Sequence, residues 1–344
     1  MSRWQIVAGT ARFTGDPDQP RLAVEQANGD TCTIEATHYV VATGSTPWAP
    51  PIAGLADAGY LTSTTAMDLD RLPESMVVIG GNAIGLEQAQ LFARLGTRVT
   101  VVETLDRLAP FEEPEISAAI EGVFADEGIP VHTGPTVTAV ARADDGYSLT
   151  LTTGAGTVEL AAEQLLAATG HRPLTGGLNL DQVGVTVGRR GEIVVDERLL
   201  TSNRRIWAAE DVKGHPQFVY VAGAYGALIV DNAFGGAGRR MDYTNLPQVI
   251  FTTPAIAAAG LIDAQAAMQG LDCECHVLPL DFVPRAIVNR DTRLLVKIVA
   301  KRGSGRIRGV HVQADNAGAL IAAAVYAVQA GMTVVQMATS GAPT

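Results

Sequence analysis

A glycine-rich turn between an apolar strand and a helix is the first place where residue types and spacing point to chemistry. Met76-Val77-Val78-Ile79 reads as a buried strand, and Gly80-Gly81-Asn82-Ala83-Ile84-Gly85 follows it. Residues 85–95 then carry Leu86, Ala89, Phe92, Ala93 and Leu95 at helical spacing. Glycine permits the tight turn, and backbone N–H groups at the start of such a helix hold a pyrophosphate. The pattern G-x-G-x-x-G is met at Gly80 and Gly85 and has Asn82 in place of its middle glycine. Context strengthens the imperfect match. A second strand, 98–103, ends in Glu103, about 20 residues beyond the glycines, where a carboxylate accepts hydrogen bonds from ribose hydroxyls. The plainer alternative is a βαβ turn that binds nothing. If the site is real, Glu103 repels a 2′-phosphate and favours NADH over NADPH, with Arg98 and Arg107 as nearby cations that would soften the preference.

The other reactive side chains are three cysteines, Cys32, Cys273 and Cys275. They make no disulfide framework, and the cytoplasm is the expected compartment. In Cys273-Glu274-Cys275-His276 the two sulfurs would share one face of a strand, and thiolates favour soft metals. Two thiols and one histidine without a further ligand cluster read instead as ordinary small residues on a surface strand, so no metal site is expected. A formal charge of −11 and a pI near 5.0 argue against a nucleic-acid binder, whose footprint is a clustered basic patch. No apolar run of about 18 residues is present, so no membrane span is expected. The opening Met1-Ser2-Arg3-Trp4-Gln5-Ile6-Val7 lacks the apolar core of a signal peptide.

The elements that must position the glycine turn follow from hydrophobic patterning. Residues 6–9, 11–13, 22–24 and 33–35 read as short strands of an antiparallel meander, with turns at Gly15-Asp16-Pro17 and Asn28-Gly29-Asp30. The meander runs into a buried strand that ends in Ala42-Thr43-Gly44. A helix is expected near 63–69, another over 114–127, and a third strand of the glycine-turn sheet over 130–133. A second meander spans 136–160 and leads to Ala168-Thr169-Gly170. The strand followed by Ala-Thr-Gly thus occurs twice, an internal repeat that points to two related nucleotide-binding domains. From about residue 246 the texture changes to apolar strands at 294–299 and 307–311 and an apolar helix over 317–330, a separate α+β domain.

These motifs resemble the pyridine nucleotide-disulfide oxidoreductases over essentially the whole chain. Residues 76–103 look like that family's NAD(P)H domain. Ala168-Thr169-Gly170-His171-Arg172-Pro173 resembles its A-T-G-x-x-P motif, and residues 201–211 resemble T-S-x-x-x-I-[YW]-A-x-G-D, which ends in the aspartate that holds the flavin ribityl chain. Glu210 stands where the family has glycine. Residues 216–222, the segment Phe282-Val283-Pro284-Arg285-Ala286 with Asp291-Thr292-Arg293, and Tyr60-Leu61-Thr62-Ser63-Thr64 are most similar to the mercuric reductase branch. In that branch the tyrosine matched by Tyr60 lies near the mercury site. Pro247 to Gly260 resembles the start of the dimer-interface domain.

The resemblance implies an α/β fold with two dinucleotide-binding domains, the flavoprotein reductase fold, plus an α+β interface domain. It divides the chain into 1–55 and 174–244 for the flavin domain, 56–173 for the NAD(P)H domain and 245–344 for the interface. It implies a chain truncated at both ends, without the first flavin-binding βαβ unit, the C-x-x-x-x-C pair and the C-terminal cysteine pair of mercuric reductases. Gly80, Asn82, Gly85 and Gly170 would hold the dinucleotide backbone, Glu103 the ribose, and Glu87 would sit near the nicotinamide. Thr43, Gly44 and Asp211 would be residual flavin contacts, with FAD expected to bind weakly or not at all. The implied reaction passes electrons from NADH or NADPH to FAD, to thiols and to Hg(II), in a homodimer. The alternatives are a non-catalytic nucleotide-binding and dimerising remnant, or a dihydrolipoamide dehydrogenase-like protein.

Overall fold

The computed structural model describes residues 4–290 and 292–340, with residue 285 described by its backbone. Asp291 and the terminal residues 1–3 and 341–344 lie outside the described residues. The elements run β1 (Thr10–Gly15), β2 (Pro20–Glu25), β3 (Thr31–Ile34), β4 (Tyr39–Val41), β5 (Ser45–Pro47), α1 (Leu55–Ala58), α2 (Ser63–Met67), β6 (Ser75–Ile79), α3 (Ala83–Arg94), β7 (Arg98–Glu103), α4 (Pro114–Asp126) and β8 (Val131–Thr133). Then come β9 (Thr136–Ala143), β10 (Gly146–Thr153), β11 (Gly156–Ala162), β12 (Gln164–Ala167), β13 (His171–Pro173), β14 (Ile206–Ala208) and α5 (Val219–Ala233). The chain closes with β15 (Gln248–Ile250), β16 (Ala255–Gly260), α6 (Asp263–Met268), β17 (Cys273–Pro279), α7 (Pro284–Asn289), β18 (Leu295–Lys301), β19 (Arg306–Ala314), α8 (Ala317–Gln329) and α9 (Val334–Thr339). By Cα packing these divide into two units, 1–48 with 171–242 and 49–170 with 243–344.

In the first unit, β1, β2 and β3 form the antiparallel meander, in the order β1-β2-β3. The expected strand at 6–9 does not form: these residues are irregular or bent, and pairing begins at Thr10↔Glu25. The strand expected to extend the meander leaves it instead. β4 pairs in parallel with β14, and β5 pairs antiparallel with β13. Tyr39 and Val41 of β4 pack with Phe13, Ile206 and Ala208 in one buried cluster, so the parallel pair is covered by the meander.

The second unit holds the parallel sheet, ordered β12-β6-β7-β8. Both faces of β6 are buried, which accounts for its unbroken apolar run. On one side Met76 and Val78 meet Leu86, Ala89 and Phe92 of α3 and Ile116, Ile120 and Phe124 of α4. On the other, Val77 and Ile79 meet Leu149 and Leu151 of the β9-β10-β11 meander. Burying Leu86 and Phe92 contributes about 1.5–3 kcal/mol each. The helix starts at Ala83 rather than Gly85, with Asn82 as its extended N-cap residue.

The same unit contains the five-stranded antiparallel sheet β15-β16-β19-β18-β17, with α8 packed on β16 and β19. Ile250, Ile256 and Leu295 of this sheet join the α3/α4 core cluster. A buried ion pair pins it further. Lys297, in β18, has a side chain only 4% exposed, and its ammonium lies 3.0 Å from Glu113 and 2.8 Å from Glu115. Glu113 is the N-cap residue of α4 and Glu115 lies in its first turn, where negative charge also suits the helix dipole. The other Glu113 oxygen accepts the Asp263 N–H at 2.7 Å, so the carboxylate joins α4 to two parts of the sheet domain.

Burial alone would lower the Lys297 pKa, but hydrogen bonds to Glu115 and Glu113 outweigh it and hold the ammonium above the ordinary lysine range. Burial raises Glu115, yet the hydrogen bond from Lys297 carries it below the usual carboxylate range. A raised lysine pKa stabilises the fold fully below its unfolded value of about 10.4, and the contribution is lost as pH rises through the folded value. A depressed glutamate stabilises above about 4.3, and the contribution is lost as pH falls through the folded value. Lys297→Ala leaves the buried Glu113 charge uncompensated and should cost about 3–5 kcal/mol at neutral pH. Urea unfolding of both proteins across pH checks this: their difference is expected to be widest between about pH 5 and pH 10 and to shrink on either side.

Candidate functional site

The fingerprint turn is shaped by three close approaches. Gly80 has φ +113°, and a Cβ there would lie 2.4 Å from the Ala168 carbonyl oxygen. A Cβ on Gly85 would lie 1.8 Å from the Gly80 carbonyl oxygen, so the first turn of α3 can press on the end of β6 only if residue 85 is glycine. Asn82 has φ −109°, an extended backbone that any residue adopts, so the missing middle glycine leaves the turn intact.

Gly81 was not among the residues singled out by pattern, yet it ties the site together. A Cβ there would meet Leu108 at 2.6 Å and the Glu103 Cβ at 2.9 Å. Its N–H donates to Glu103 Oε2 at 2.6 Å, and its carbonyl accepts the Ala109 N–H at 2.7 Å. Glu103 is buried, and its other oxygen accepts the Leu105 N–H at 2.8 Å. The Thr104 hydroxyl also donates to it at 3.4 Å, so of a carboxylate's roughly four acceptor positions one remains for a ribose hydroxyl. The adjacent double glycine was the available signal for this role. Gly170 follows β12 with φ +112°, and nothing lies within 4 Å of a Cβ built there, so its demand is conformational. Ala168, two residues earlier, donates its N–H to Ile79 and touches Gly80, which brings Gly170 to the same end of the sheet.

The two cations near Glu103 in sequence make contacts of their own, with the buried Arg107 Nε left without a hydrogen-bond partner. Arg107 donates to the carbonyls of Pro110 and Glu112 at 2.9 and 3.2 Å. Arg98 stands at the opposite end of β7 from Glu103, exposed and 4.0 Å from Glu74.

Glu87 and Tyr60 have different surroundings. Glu87, Gln90 and Arg94 line one face of α3 and grip residues 251–253. Glu87 accepts the Phe251 N–H at 2.8 Å, Gln90 bonds both the N–H and the carbonyl of Thr253, and Arg94 reaches the Thr253 carbonyl at 3.1 Å. Burial raises the Glu87 pKa and the Phe251 N–H partly offsets this. Tyr60 is half-buried against the cluster containing Val77 and Leu149. It is set by the next residue, Leu61, whose N–H and carbonyl pair with Leu165 and Ala167 of β12.

In the first unit, β4 and β14 run in parallel, and their carboxyl ends bring Thr43, Gly44, Glu210 and Asp211 together, as open parallel sheets bring loops together at ligand sites. These groups satisfy one another. Thr43 Oγ1 donates to the Leu174 carbonyl at 2.7 Å, and Ser45 Oγ donates to Asp211 at 2.8 Å. The Gly44 N–H donates to Glu210 Oε1 at 2.7 Å, and the Asp211 N–H donates to Glu210 Oε2. Glu210 has φ +59°, the left-handed region that glycine adopts without strain.

The cysteines are not assembled into a reactive pair. Cys32 lies in β3 of the first unit, while Cys273 and Cys275 lie in β17 of the second. Burial, reinforced by Asp263, pushes the Cys275 thiol up to about 12, and burial raises Cys273 as well. Among the described residues no group of three or more His, Cys, Asp and Glu is placed to hold a metal, and no helix is long and apolar enough to cross a membrane. A groove lined by Lys301, Arg306 and Arg308 among others includes none of the fingerprint residues.

The second unit therefore fits a pyridine dinucleotide: it has a glycine cradle, a helix start and a buried carboxylate with an acceptor position to spare. The first unit does not fit a flavin as it stands, because the N–H groups of Gly44 and Asp211 are taken by a carboxylate.

Residues 2–226 match the family model described as pyridine nucleotide-disulphide oxidoreductase, and residues 246–343 match that family's dimerisation domain. Mercuric reductase from Streptomyces lividans is 55% identical over 99% of this chain, which spans 71% of that protein. Mercuric reductase from Lysinibacillus sphaericus is 38% identical over 99% of this chain, which spans 61% of that protein. LpdA from Mycobacterium tuberculosis superimposes with a TM-score of 0.86 at 30% identity, covering 98% of this chain and 74% of that one. The HOCl-induced flavoprotein disulfide reductase RclA from Escherichia coli gives 0.86 at 28% identity, covering 96% of this chain and 74% of that one. Fold, fingerprint geometry and kinship agree: the chain belongs to the pyridine nucleotide-disulphide oxidoreductase family.

Proposed function

We propose that the second unit binds a nicotinamide dinucleotide, NADH in preference to NADPH, as part of an oxidoreductase of the mercuric reductase type with Hg(II) as its substrate. The observation that carries this reading is the Glu103 carboxylate seated on the Gly81 N–H beside the first turn of α3. Gly80 and Gly85 would shape the turn and seat α3 on β6, the N–H groups at the start of that helix would receive the pyrophosphate, and Glu103 would take a ribose hydroxyl. Arg107 donates to two carbonyls and Arg98 stands at the far end of β7, an arrangement that favours the free 2′-hydroxyl of NADH over a 2′-phosphate at Glu103. A bound nicotinamide supplies a hydride. Glu87, whose carboxyl binds its proton more tightly through burial, would border the nicotinamide end of α3, and Tyr60 would stand near the metal substrate.

Residues 56–173 would then be the NAD(P)H domain, 1–55 and 174–244 the flavin domain, and 245–344 the surface through which a homodimer forms. The thiol step of the reaction is assigned to none of the three cysteines: burial raises the thiol pKa of Cys275 and Cys273, and Cys32 has no second cysteine within its own unit. The non-catalytic reading, a nucleotide-binding and dimerising protein, is favoured by one observation: the internally satisfied polar groups of the first unit.

Calorimetric titration tests the cofactor preference. NADH is expected to bind about tenfold or more tightly than NADPH, the effect of one desolvated charge repulsion, and tighter NADPH binding would contradict the reading. Gly85→Ala places a Cβ 1.8 Å from the Gly80 carbonyl oxygen and should abolish NADH binding. Gly122→Ala, where a Cβ meets nothing within 4 Å, should leave it unchanged. Iodoacetamide at about pH 8 should leave Cys275 unmodified in the folded protein and alkylate it in urea, since the thiolate is the nucleophile. Peptide mapping reads the result, and rapid native labelling would show a reactive thiol.

A further inference from the structure

The first unit carries an anion of its own at the place where an open parallel sheet ordinarily receives a ligand. The carboxyl ends of β4 and β14 converge there, and the loops after them turn two backbone N–H groups, those of Gly44 and Asp211, toward one point. The Glu210 side chain occupies that point. One oxygen accepts the Gly44 N–H across 166 residues of sequence, and the other accepts the Asp211 N–H. Glu210 reaches it from a left-handed backbone, φ +59°, that disfavours any side chain. Asp211 adds a second carboxylate, already bound to the Ser45 hydroxyl at 2.8 Å.

We infer that Glu210 is an internal plug: its carboxylate fills the N–H pair that a phosphate-bearing, polyhydroxylated dinucleotide would otherwise take, and so weakens flavin binding to this unit. The inference rests on reading the first unit as a flavin domain. A ligand must displace the carboxylate from two charge-assisted hydrogen bonds and then sit beside two negative charges. A glycine at 210 removes the plug, the charge and the backbone strain together.

FAD titration into the purified 344-residue chain, wild type, Glu210→Gly and Glu210→Gln, tests this, with flavin fluorescence quenching as the readout. The wild type is expected to show no saturable binding up to about 1 mM, and Glu210→Gly to bind about tenfold or more tightly, the worth of one hydrogen bond to a charged group. Glu210→Gln keeps the bulk and loses the charge, so it should fall between them. Thermal melts establish that the variants are folded, and should Glu210→Gly not fold, Glu210→Gln alone decides. Stoichiometric FAD on the wild type, or folded variants with unchanged FAD affinity, would overturn the inference. NADH titrated into the same samples separates this from the dinucleotide reading of the second unit: its binding should be equal in all three proteins, and its absence from all three would sink that reading without touching the plug.

Discussion

One steric constraint organises the second unit: the first turn of α3 presses against the end of β6 with no room for a Cβ at residue 85. From that contact follows the direction of the helix. The pairing of β12 with β6 sets Ala168 against Gly80, and Glu103 at the end of the neighbouring strand reaches back to the Gly81 N–H. The apolar side chains of α3 and α4 then hold the arrangement from beneath. Packing supplies the stability, and the glycines let that packing coexist with an accessible backbone.

A second, polar constraint couples this domain to the antiparallel sheet that follows it in sequence. Lys297 is buried with two carboxylates of α4, and the Glu87-Gln90-Arg94 stripe of α3 grips residues 251–253. Both α3 and α4 are therefore anchored to the sheet that matches the family's dimerisation domain. Such buried pairs contribute modestly to net stability but are costly to break one-sidedly, which makes them effective at fixing how two domains pack. Glu87 consequently has a structural duty in addition to its proposed place beside the nicotinamide.

Much of this was legible in the sequence because it rests on local patterns. The apolar runs of β6 and β7, the helical spacing of α3 and the acid at position 103 need only period and distance along the chain to be read. The Asn82 departure from the fingerprint leaves the turn itself intact for a reason the pattern does not contain, its extended backbone. Gly81 was passed over because the fingerprint leaves its position free, whereas its contact with Glu103 depends on how the β7 loop returns. Residues 6–9 have strand-like composition but lie outside the pairing that begins at Thr10. The long-range partners, Lys297 with Glu113 and Glu210 with Gly44, join residues more than 160 positions apart, and no local pattern announces them.

The most direct measurement is a crystal structure of the chain grown with NADH. The expected result is a dinucleotide whose pyrophosphate lies on the N–H groups at the start of α3, with a ribose hydroxyl on Glu103 and the Gly81–Glu103 hydrogen bond retained. A dinucleotide bound elsewhere, or a Glu103 carboxylate that makes no contact with the ribose, would contradict the assignment.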